Sequence, residues 1–176
     1  MRNNLLNRLR PQKTEEVEIL VEVDDGKLLI GEKRNFLLKR AKGDYVCFVD
    51  DDDDVSDDYV SKILKAIEKN PDCCGLEGQV TTNGRRRKKF IHSLKYKMWF
   101  EKNGVYYRNP NHLNAIKREI ALKVGFTEKS HGEDRDFSKA VLPYLKTEEY
   151  IEGPIYFYKY VTKDLTSRKN AHKRRK

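Results

Sequence analysis

The chain has 176 residues, a length that fits one domain with its own hydrophobic core. Apolar residues make up 38% of it, in recurring short runs that a fully disordered chain does not have. No run reaches the roughly 18 apolar residues of a membrane-spanning helix, and residues 1–10 contain no apolar core of a signal peptide. We therefore expect a cytoplasmic protein.

Charge is segregated along the sequence. The formal net charge is +9, with basic runs at residues 85–89 and 168–176 and an acidic run at residues 50–58. Basic runs favour phosphate-bearing partners, either nucleic acid or an anionic membrane surface, although a terminal run is also typical of a solvated tail. The three cysteines form no metal-binding pair, and we expect them to be buried free thiols.

The first part of the chain alternates strands and helices. A strand is predicted at residues 17–23, a helix at 32–41, a strand at 45–49 and a helix at about 57–69. This order implies parallel strands joined by right-handed crossovers, with ligands bound beyond the carboxyl ends of the strands. An Asp-Asp-Gly turn follows the first strand and five aspartates follow the second, so acidic clusters occupy both ends.

The second part is predicted to contain hairpins, two helices and a last strand. Asn-Gly pairs at residues 83–84 and 103–104 predict hairpin turns. Strands are predicted at residues 76–82, 89–96 and 105–108, helices at 117–124 and 133–145, and the last strand at 155–160. We expect one α/β domain, Rossmann-like, over residues 1–166, with a mostly parallel central sheet, helices on both faces and a small antiparallel part. Residues 167–176 are expected to form a flexible basic tail.

Residues 50–54 are five consecutive aspartates directly after a predicted buried strand. Their charges repel one another unless water or a cation neutralises them. A divalent metal, Mg²⁺ or Mn²⁺, which combines one or two carboxylates with substrate phosphates, fits such a run. A solvated helix N-terminus, whose dipole also favours carboxylates, fits it equally well.

Several segments, in this order, resemble family 2 glycosyltransferases, which have the glycosyltransferase A fold. The first three are an Asp-Asp-Gly turn at residues 24–26, an Arg-Asn helix start at 34–35, and an Ala-x-Gly-x-Tyr segment at 41–52 that leads into a strand and an Asp-x-Asp motif. A Gly-Phe-x-Glu segment at residues 125–128 and a Glu-Asp segment at 133–134 follow. The resemblance implies transfer of a hexose from a nucleoside diphosphate sugar of the uridine type to an acceptor hydroxyl. It also implies inversion at the anomeric carbon and assistance by Mn²⁺ or Mg²⁺.

The resemblance assigns the donor site to aspartates and one arginine. The residues that match nucleotide contacts are Asp24, Asp25, Arg34, Asp50 and Asp51, with Asp50 facing the ribose. Asp52 and Asp53 are the candidate metal ligands, because a run of five aspartates allows the Asp-x-Asp motif more than one register.

The resemblance assigns the general base to the Glu-Asp segment. Asp134 matches the residue that takes the proton from the acceptor hydroxyl, with Glu133 as the second candidate and His131 as a lesser one. Without the resemblance, the favoured interpretation is that both carboxylates belong to the first turn of a helix after Gly132.

A polar loop is predicted at residues 108–114. His112 and Asn114 in this loop are candidates for contacts with the acceptor or the donor sugar, or alternatively for loop capping and turn hydrogen bonds. Trp99 is a candidate to stack on a sugar or to belong to the core.

Two features depart from the family pattern. Residues 1–10 resemble the helix that follows the usual first strand, so no such strand with its nucleotide loop is found before it. Either the reading frame starts further upstream, or the chain is a truncated relative with impaired binding, or the sheet tolerates the loss. Residues 158–161 also have no histidine where many relatives have a metal ligand.

Two other functions are alternatives. A nucleotidyltransferase also uses Asp-x-Asp and a divalent metal, but the sequence has no glycine-rich phosphate loop. A nucleic-acid-binding module would use the basic runs. The ideas are compatible, since a virus- or phage-encoded enzyme that glycosylates modified DNA needs an acidic donor site and a basic acceptor surface. A glycan, or a lipid of a membrane with which the protein associates peripherally, is the other expected acceptor.

Overall fold

The computed structural model describes residues 2–162, with side chains from residue 4 onward. The helices are α1 (Arg2–Leu9), α2 (Ile30–Arg40), α3 (Tyr59–Ile67), α4 (Arg118–Val124) and α5 (Glu133–Val141). The strands are β1 (Tyr45–Val46), β2 (Asp54–Val55), β3 (Cys73–Thr82), β4 (Arg85–His92), β5 (Phe100–Lys102), β6 (Val105–Arg108), β7 (Ile116–Lys117) and β8 (Glu148–Tyr160). Short 3₁₀ turns follow α1 and α5. None of the helices described has the length and hydropathy needed to cross a membrane. The predicted tail at residues 167–176 lies outside the described residues.

Strand β3 is the centre of one eight-stranded sheet. One edge of β3 pairs in parallel with β8, and the other edge pairs with β7 at its start and with β4 along the rest. Beyond these strands, β1 pairs with β7, β6 with β4, β5 with β6, and β2 with β8. Only the β3–β8 and β4–β6 pairs are parallel among the ladders described. The sheet is therefore mixed, with a larger antiparallel share than the sequence predicts.

Helices cover both faces of the sheet, and this confirms the predicted α/β class. One apolar core lies between the sheet and the pair α1 and α3, and includes Leu5, Leu9, Tyr59 and Val60. The second core lies on the other face, where Leu38 of α2 packs with residues of α4 and α5. Cys73 and Cys74 are buried free thiols in these cores, as expected, while Cys47 is half-buried.

The two Asn-Gly turns are confirmed. Asn83 and Gly84 have φ of 51° and 71°, and Asn103 and Gly104 have φ of 52° and 74°. Two successive residues with positive φ define the hairpin turn whose twist matches the flanking strands, and asparagine and glycine tolerate that conformation best. These turns join β3 to β4 and β5 to β6.

The strand predicted at residues 17–23 is wrong as a ladder strand, because these residues form no sheet pairing with any other part of residues 2–162. Their side chains still alternate. Ile19 and Val21 lie beside Leu6 and Arg10 near α1, whereas Glu18 accepts hydrogen bonds from the backbone N–H groups of Lys42 and Gly43 beyond α2. This period of two is typical of extended chain. The strand predicted at residues 45–49 is likewise paired only over β1.

Helix α2 is held closely against the loop that follows α4. The backbone N–H of Gly31 donates to the carbonyl of Lys129 at 3.1 Å. A Cβ atom on Gly31 would lie 1.9 Å from the carbonyl oxygen of Thr127, which belongs to backbone and has little freedom to move. A glycine is therefore required here, although it lies in the first turn of a helix.

We predict that Gly31→Ala lowers the free energy of unfolding by about 1–3 kcal/mol, the usual cost of overpacking. In an exposed helix the same change normally stabilises by up to about 1 kcal/mol. Urea unfolding followed by circular dichroism measures the difference, with the exposed Lys39→Ala of the same helix as the control. A stabilised Gly31→Ala variant would show that α2 does not approach the loop this closely.

Candidate active site

A cleft with a volume of about 2450 Å³ runs along the edge where the predicted acidic clusters lie. It brings together segments that are far apart in the sequence. The predicted site residues that line it are Asp24, Arg34, Asp50, Asp51, Asp52, Glu133 and Asp134. Asp25 and Asp53 do not line it. Among residues 2–162, no three histidine, cysteine or acidic side chains are grouped closely enough to hold a metal ion by themselves.

Arg34 connects the two acidic segments. Its Nη1 donates to Oε1 of Glu133 at 2.6 Å and its Nη2 donates to Oδ1 of Asp50 at 2.8 Å. The guanidinium is buried and also lies 5.6 Å from the centre of the Phe126 ring. Because a buried charge is tolerated only when it is paired and hydrogen-bonded, this bridge fixes α2 relative to α5 and to the end of the 45–49 segment.

Glu133 has a structural role in this arrangement. Its side chain is only 6% exposed, and Oε1 is committed to Arg34. Its Oε2 has no hydrogen-bond partner among the described residues. Glu133 thus neutralises a buried arginine, and it is poorly placed to take a proton from an incoming acceptor.

Asp50 is held in its ionised form. Burial acts to raise its pKa, but the proximity of His112, together with the charge and the hydrogen bond of Arg34, holds the pKa of Asp50 well below its usual range. The Nε2 of His112 lies 3.6 Å from Oδ2 of Asp50. The backbone N–H of Asp50 donates to the hydroxyl oxygen of Tyr156 at 3.2 Å.

The next three aspartates point in different directions. Asp51 and Asp52 are exposed, and burial together with the charges of Asp50 and Asp51 raises the pKa of Asp52. Asp53 turns inward, where Oδ2 accepts from the Tyr156 hydroxyl at 2.7 Å and Oδ1 accepts from the Lys159 backbone N–H at 2.8 Å. Burial raises the pKa of Asp53 to about 7. Both of its oxygens are occupied by protein donors, so Asp52 is the better placed of the two candidate metal ligands.

The two carboxylates of the Asp-Asp-Gly turn have different environments. Asp24 accepts from the Leu28 backbone N–H at 2.8 Å and from Lys33 Nζ at 3.0 Å, and the first of these bonds is the main cause that lowers the pKa of Asp24. Asp25 is 79% exposed and pairs with Lys27. Asp24 is therefore fixed at the cleft, while Asp25 points into solvent.

Asp134 lies half-exposed on the cleft wall, in the first turn of α5. Near it is Arg108, at the end of β6, whose guanidinium lies 4.3 Å from the centre of the Trp99 ring. Burial lowers the pKa of Arg108, and the charge of Asp134 acts in the opposite direction. Arg108 was predicted only as the first residue of the polar loop, without a role of its own, and its position at a strand end beside an aromatic residue was the available signal.

The loop at residues 109–114 is buried beneath the candidate site. Asn114 is completely buried, with Oδ1 accepting from the Asn111 backbone N–H and Nδ2 donating to the Cys74 carbonyl. The capping interpretation is therefore the one that its contacts support. His112 is also buried, and neither of its ring nitrogens has a hydrogen-bond partner among the described residues.

Comparison with known proteins identifies the family. The model of glycosyl transferase family 2 matches residues 18–125, more than half of the chain, and the chain therefore belongs to this family. No curated protein matches the sequence.

Solved structures share the fold at low identity. The crystal structure of S. aureus TarS 1-349 is 19% identical, with a TM-score of 0.56, and the match covers 79% of this chain and 42% of that one. The crystal structure of S. aureus TarS 1-349 in complex with UDP-GlcNAc is 16% identical, with a TM-score of 0.62, covering 94% of this chain and 48% of that one. The chain thus spans less than half the length of these structures.

We predict that Arg34→Met lowers the free energy of unfolding by about 3–5 kcal/mol, because Glu133 becomes a buried charge without a partner. The double variant Arg34→Met with Glu133→Leu is expected to recover most of this loss. Urea unfolding of both variants measures the recovery. Arg40→Gln, which removes an exposed pair with Glu22, is the control with little expected effect. A double variant as unstable as the single one would contradict a pairing role for Arg34.

Proposed function

We propose that this family 2 protein binds a nucleoside diphosphate sugar and transfers the sugar to an acceptor hydroxyl with inversion. The observation that carries the proposal is that Asp134, in the first turn of α5, lines one cleft with Asp24, Asp50 and Asp52, which follow the ends of the two segments predicted as strands. Ligands of open α/β sheets bind at such ends. One of the matched structures holds UDP-GlcNAc, which supports a uridine diphosphate sugar as the donor.

The nucleoside belongs on the side of the cleft that carries Asp24. Asp24 is held in place by Lys33 and the Leu28 backbone, so its carboxylate is oriented before the ligand arrives. Asp50, fixed by Arg34, is placed to accept hydrogen bonds from ribose hydroxyls. Because both carboxylates are pre-oriented by the protein, little side-chain entropy is lost when the nucleoside binds.

The residues present fit a divalent cation. Asp50, Asp51 and Asp52 are consecutive carboxylates on the cleft, while Arg34 is engaged by Glu133 and Asp50. Asp52 would hold the cation, and phosphate oxygens of the donor would complete the set, as is usual for Mg²⁺. When bound, Mn²⁺ or Mg²⁺ neutralises charge on the diphosphate as it leaves.

Asp134 is the proposed general base. It would take the proton from the acceptor hydroxyl while that oxygen forms a bond to the anomeric carbon, and the bond between this carbon and the diphosphate oxygen breaks. The nucleoside diphosphate leaves with the electron pair. Asp134 is preferred over Glu133 because Glu133 is buried against Arg34. Arg108, near Asp134, keeps a positive charge on the same wall of the cleft.

A polyanionic acceptor is the proposal for the basic surface. Arg85, Arg86 and Arg87 are exposed at the start of β4, and Arg86, Lys88 and Lys159 line the rim of the cleft. The positive rim next to an acidic donor site is the observation that favours modified nucleic acid or an anionic lipid or glycan as acceptor over a neutral one.

We predict that Asp52→Asn and Asp134→Asn separate binding from turnover. Asp52→Asn should lose at least about tenfold of the Mn²⁺-dependent affinity for UDP, since it removes one carboxylate ligand. Asp134→Asn should bind UDP normally, but hydrolysis of UDP-GlcNAc should slow by about 10² to 10⁴ through loss of the base. Calorimetry and release of UDP measure the two effects.

Glu15→Gln is the control for charge alone, since Glu15 is exposed and does not line the cleft. Wild-type affinity of Asp52→Asn for UDP in Mn²⁺ would reject the metal assignment. Wild-type turnover of Asp134→Asn would reject it as the base.

We predict that a triple change of Arg85, Arg86 and Arg87 to Gln weakens binding of DNA and flattens its salt dependence. Each phosphate contact contributes roughly 0.9 to the slope of log affinity against log salt concentration. Filter binding across a salt series measures the slope. The control changes three exposed lysines elsewhere, Lys39, Lys65 and Lys139, to Gln. Equal slopes for the two triple variants would favour a glycan or lipid acceptor over DNA.

A further inference from the structure

We propose that Arg108 binds an anionic group of the acceptor, a phosphate or carboxylate that lies close to the hydroxyl receiving the sugar. The inference rests on the proposed glycosyl transfer, since it takes Asp134 as the general base. It assigns the choice between a charged and a neutral acceptor to one side chain of the cleft.

Arg108 differs from the other cations of the cleft because it has no partner. It lies at the end of β6, lines the cleft and is half-buried. Within residues 4–162, its guanidinium forms no hydrogen bond and no ion pair. Arg86, which also lines the cleft without a partner among these residues, is exposed. The other cations that line the cleft are engaged by a carboxylate or a carbonyl oxygen, and they are Lys33, Arg34, Lys88, Lys117, Arg118 and Lys159.

An unpaired charge in a partly buried position is costly for a protein. Burial lowers the pKa of Arg108, since its charged form is less well solvated there. Arg34 shows how the same cleft treats a guanidinium with a structural role, because two carboxylates neutralise it. Arginine stays charged at neutral pH, so the donors of Arg108 are free for a ligand that brings its own negative charge.

Contacts between β6 and α5 fix this guanidinium on the same wall as Asp134. It lies 4.3 Å from the centre of the Trp99 ring, within the range of a cation–π interaction. The indole N–H of Trp99 donates to the hydroxyl of Ser138 in α5 at 3.3 Å. Asn109, the residue after Arg108, donates its side-chain amide to the Ser138 carbonyl at 2.7 Å. Residues four apart share one face of a helix, so Ser138 anchors the face of α5 that carries Asp134.

The position of Arg108 favours the acceptor over the donor diphosphate as the source of the anion. Burial lowers the pKa of Arg108, and the charge of Asp134 has the largest effect in the other direction. The diphosphate is proposed to lie with a cation at residues 50–52, and none of these aspartates affects that pKa. An anion on Arg108 therefore belongs to the molecule that also contacts the base. Binding it there would orient the neighbouring hydroxyl towards Asp134.

Trp99 is the only tryptophan of the chain, so its fluorescence reports directly on binding at Arg108. The probes are glycerol 3-phosphate and glycerol, which differ by one phosphate. Glycerol 3-phosphate should change the emission at concentrations at least about tenfold lower than glycerol, because an arginine–phosphate pair is a charge-assisted hydrogen bond. Arg108→Met, which keeps an unbranched side chain beside the indole, should lose this preference. Arg108→Lys keeps the charge without the planar fork, and its affinity should lie between those of Arg108→Met and the wild type.

Arg135→Met is the matched control, because Arg135 is exposed on α5 and does not line the cleft. It should bind glycerol 3-phosphate as the wild type does. The proposal is overturned if the wild type binds glycerol equally well, or if Arg108→Met and Arg108→Lys both keep the wild-type affinity for glycerol 3-phosphate.

Calorimetry with UDP in Mn²⁺ separates the two sources of phosphate. The affinity of Arg108→Met for UDP should equal that of the wild type. A loss of about tenfold or more would show that the donor diphosphate occupies Arg108, and this result also overturns the proposal. A wild-type chain that binds glycerol 3-phosphate beside Trp99 but does not bind UDP would contradict the proposed donor site and still support the anion site.

Discussion

The buried guanidinium of Arg34 is the interaction on which the candidate site depends. It neutralises Glu133 at the start of α5 and Asp50 at the end of the 45–49 segment, while it remains part of α2. Helices α2 and α5 and the end of the 45–49 segment, beyond β1, are thereby held at fixed positions. Leaving one of these charges buried without its partner costs several times the net contribution of an ordinary hydrogen bond. The loss of one partner is therefore expected to disrupt the whole bridge.

This bridge also distributes roles among the carboxylates. Glu133 is used to neutralise Arg34, so the neighbouring Asp134 remains half-exposed on the cleft wall. Both carboxylate oxygens of Asp53 accept hydrogen bonds, from Tyr156 and the Lys159 backbone, so of the two candidate metal ligands only Asp52 lines the cleft. Adjacent residues of the same chemical type thus occupy either buried, hydrogen-bonded positions or open positions on the cleft, according to which protein donors each one meets.

The segments at residues 17–23 and 45–49 position two of the cleft carboxylates. They are joined by α2, both line the cleft, and Asp24 and Asp50 follow their ends. Among the described residues, the 17–23 segment belongs to no sheet ladder. Side-chain contacts hold it instead, such as the hydrogen bonds that Glu18 accepts from the backbone N–H groups of Lys42 and Gly43.

The sequence by itself determined the class of fold, the helices, the Asn-Gly hairpins and the family, because apolar periodicity, turn chemistry and short motifs are local signals. Only the tertiary structure decided that residues 17–23 have no ladder partner within the part of the chain it describes, that Asn114 is buried, and that Glu133 and Asp53 are turned away from solvent. Hydrogen-bond pairing and burial depend on segments far apart in the chain, and a run of identical aspartates carries no local signal of which one will meet a donor.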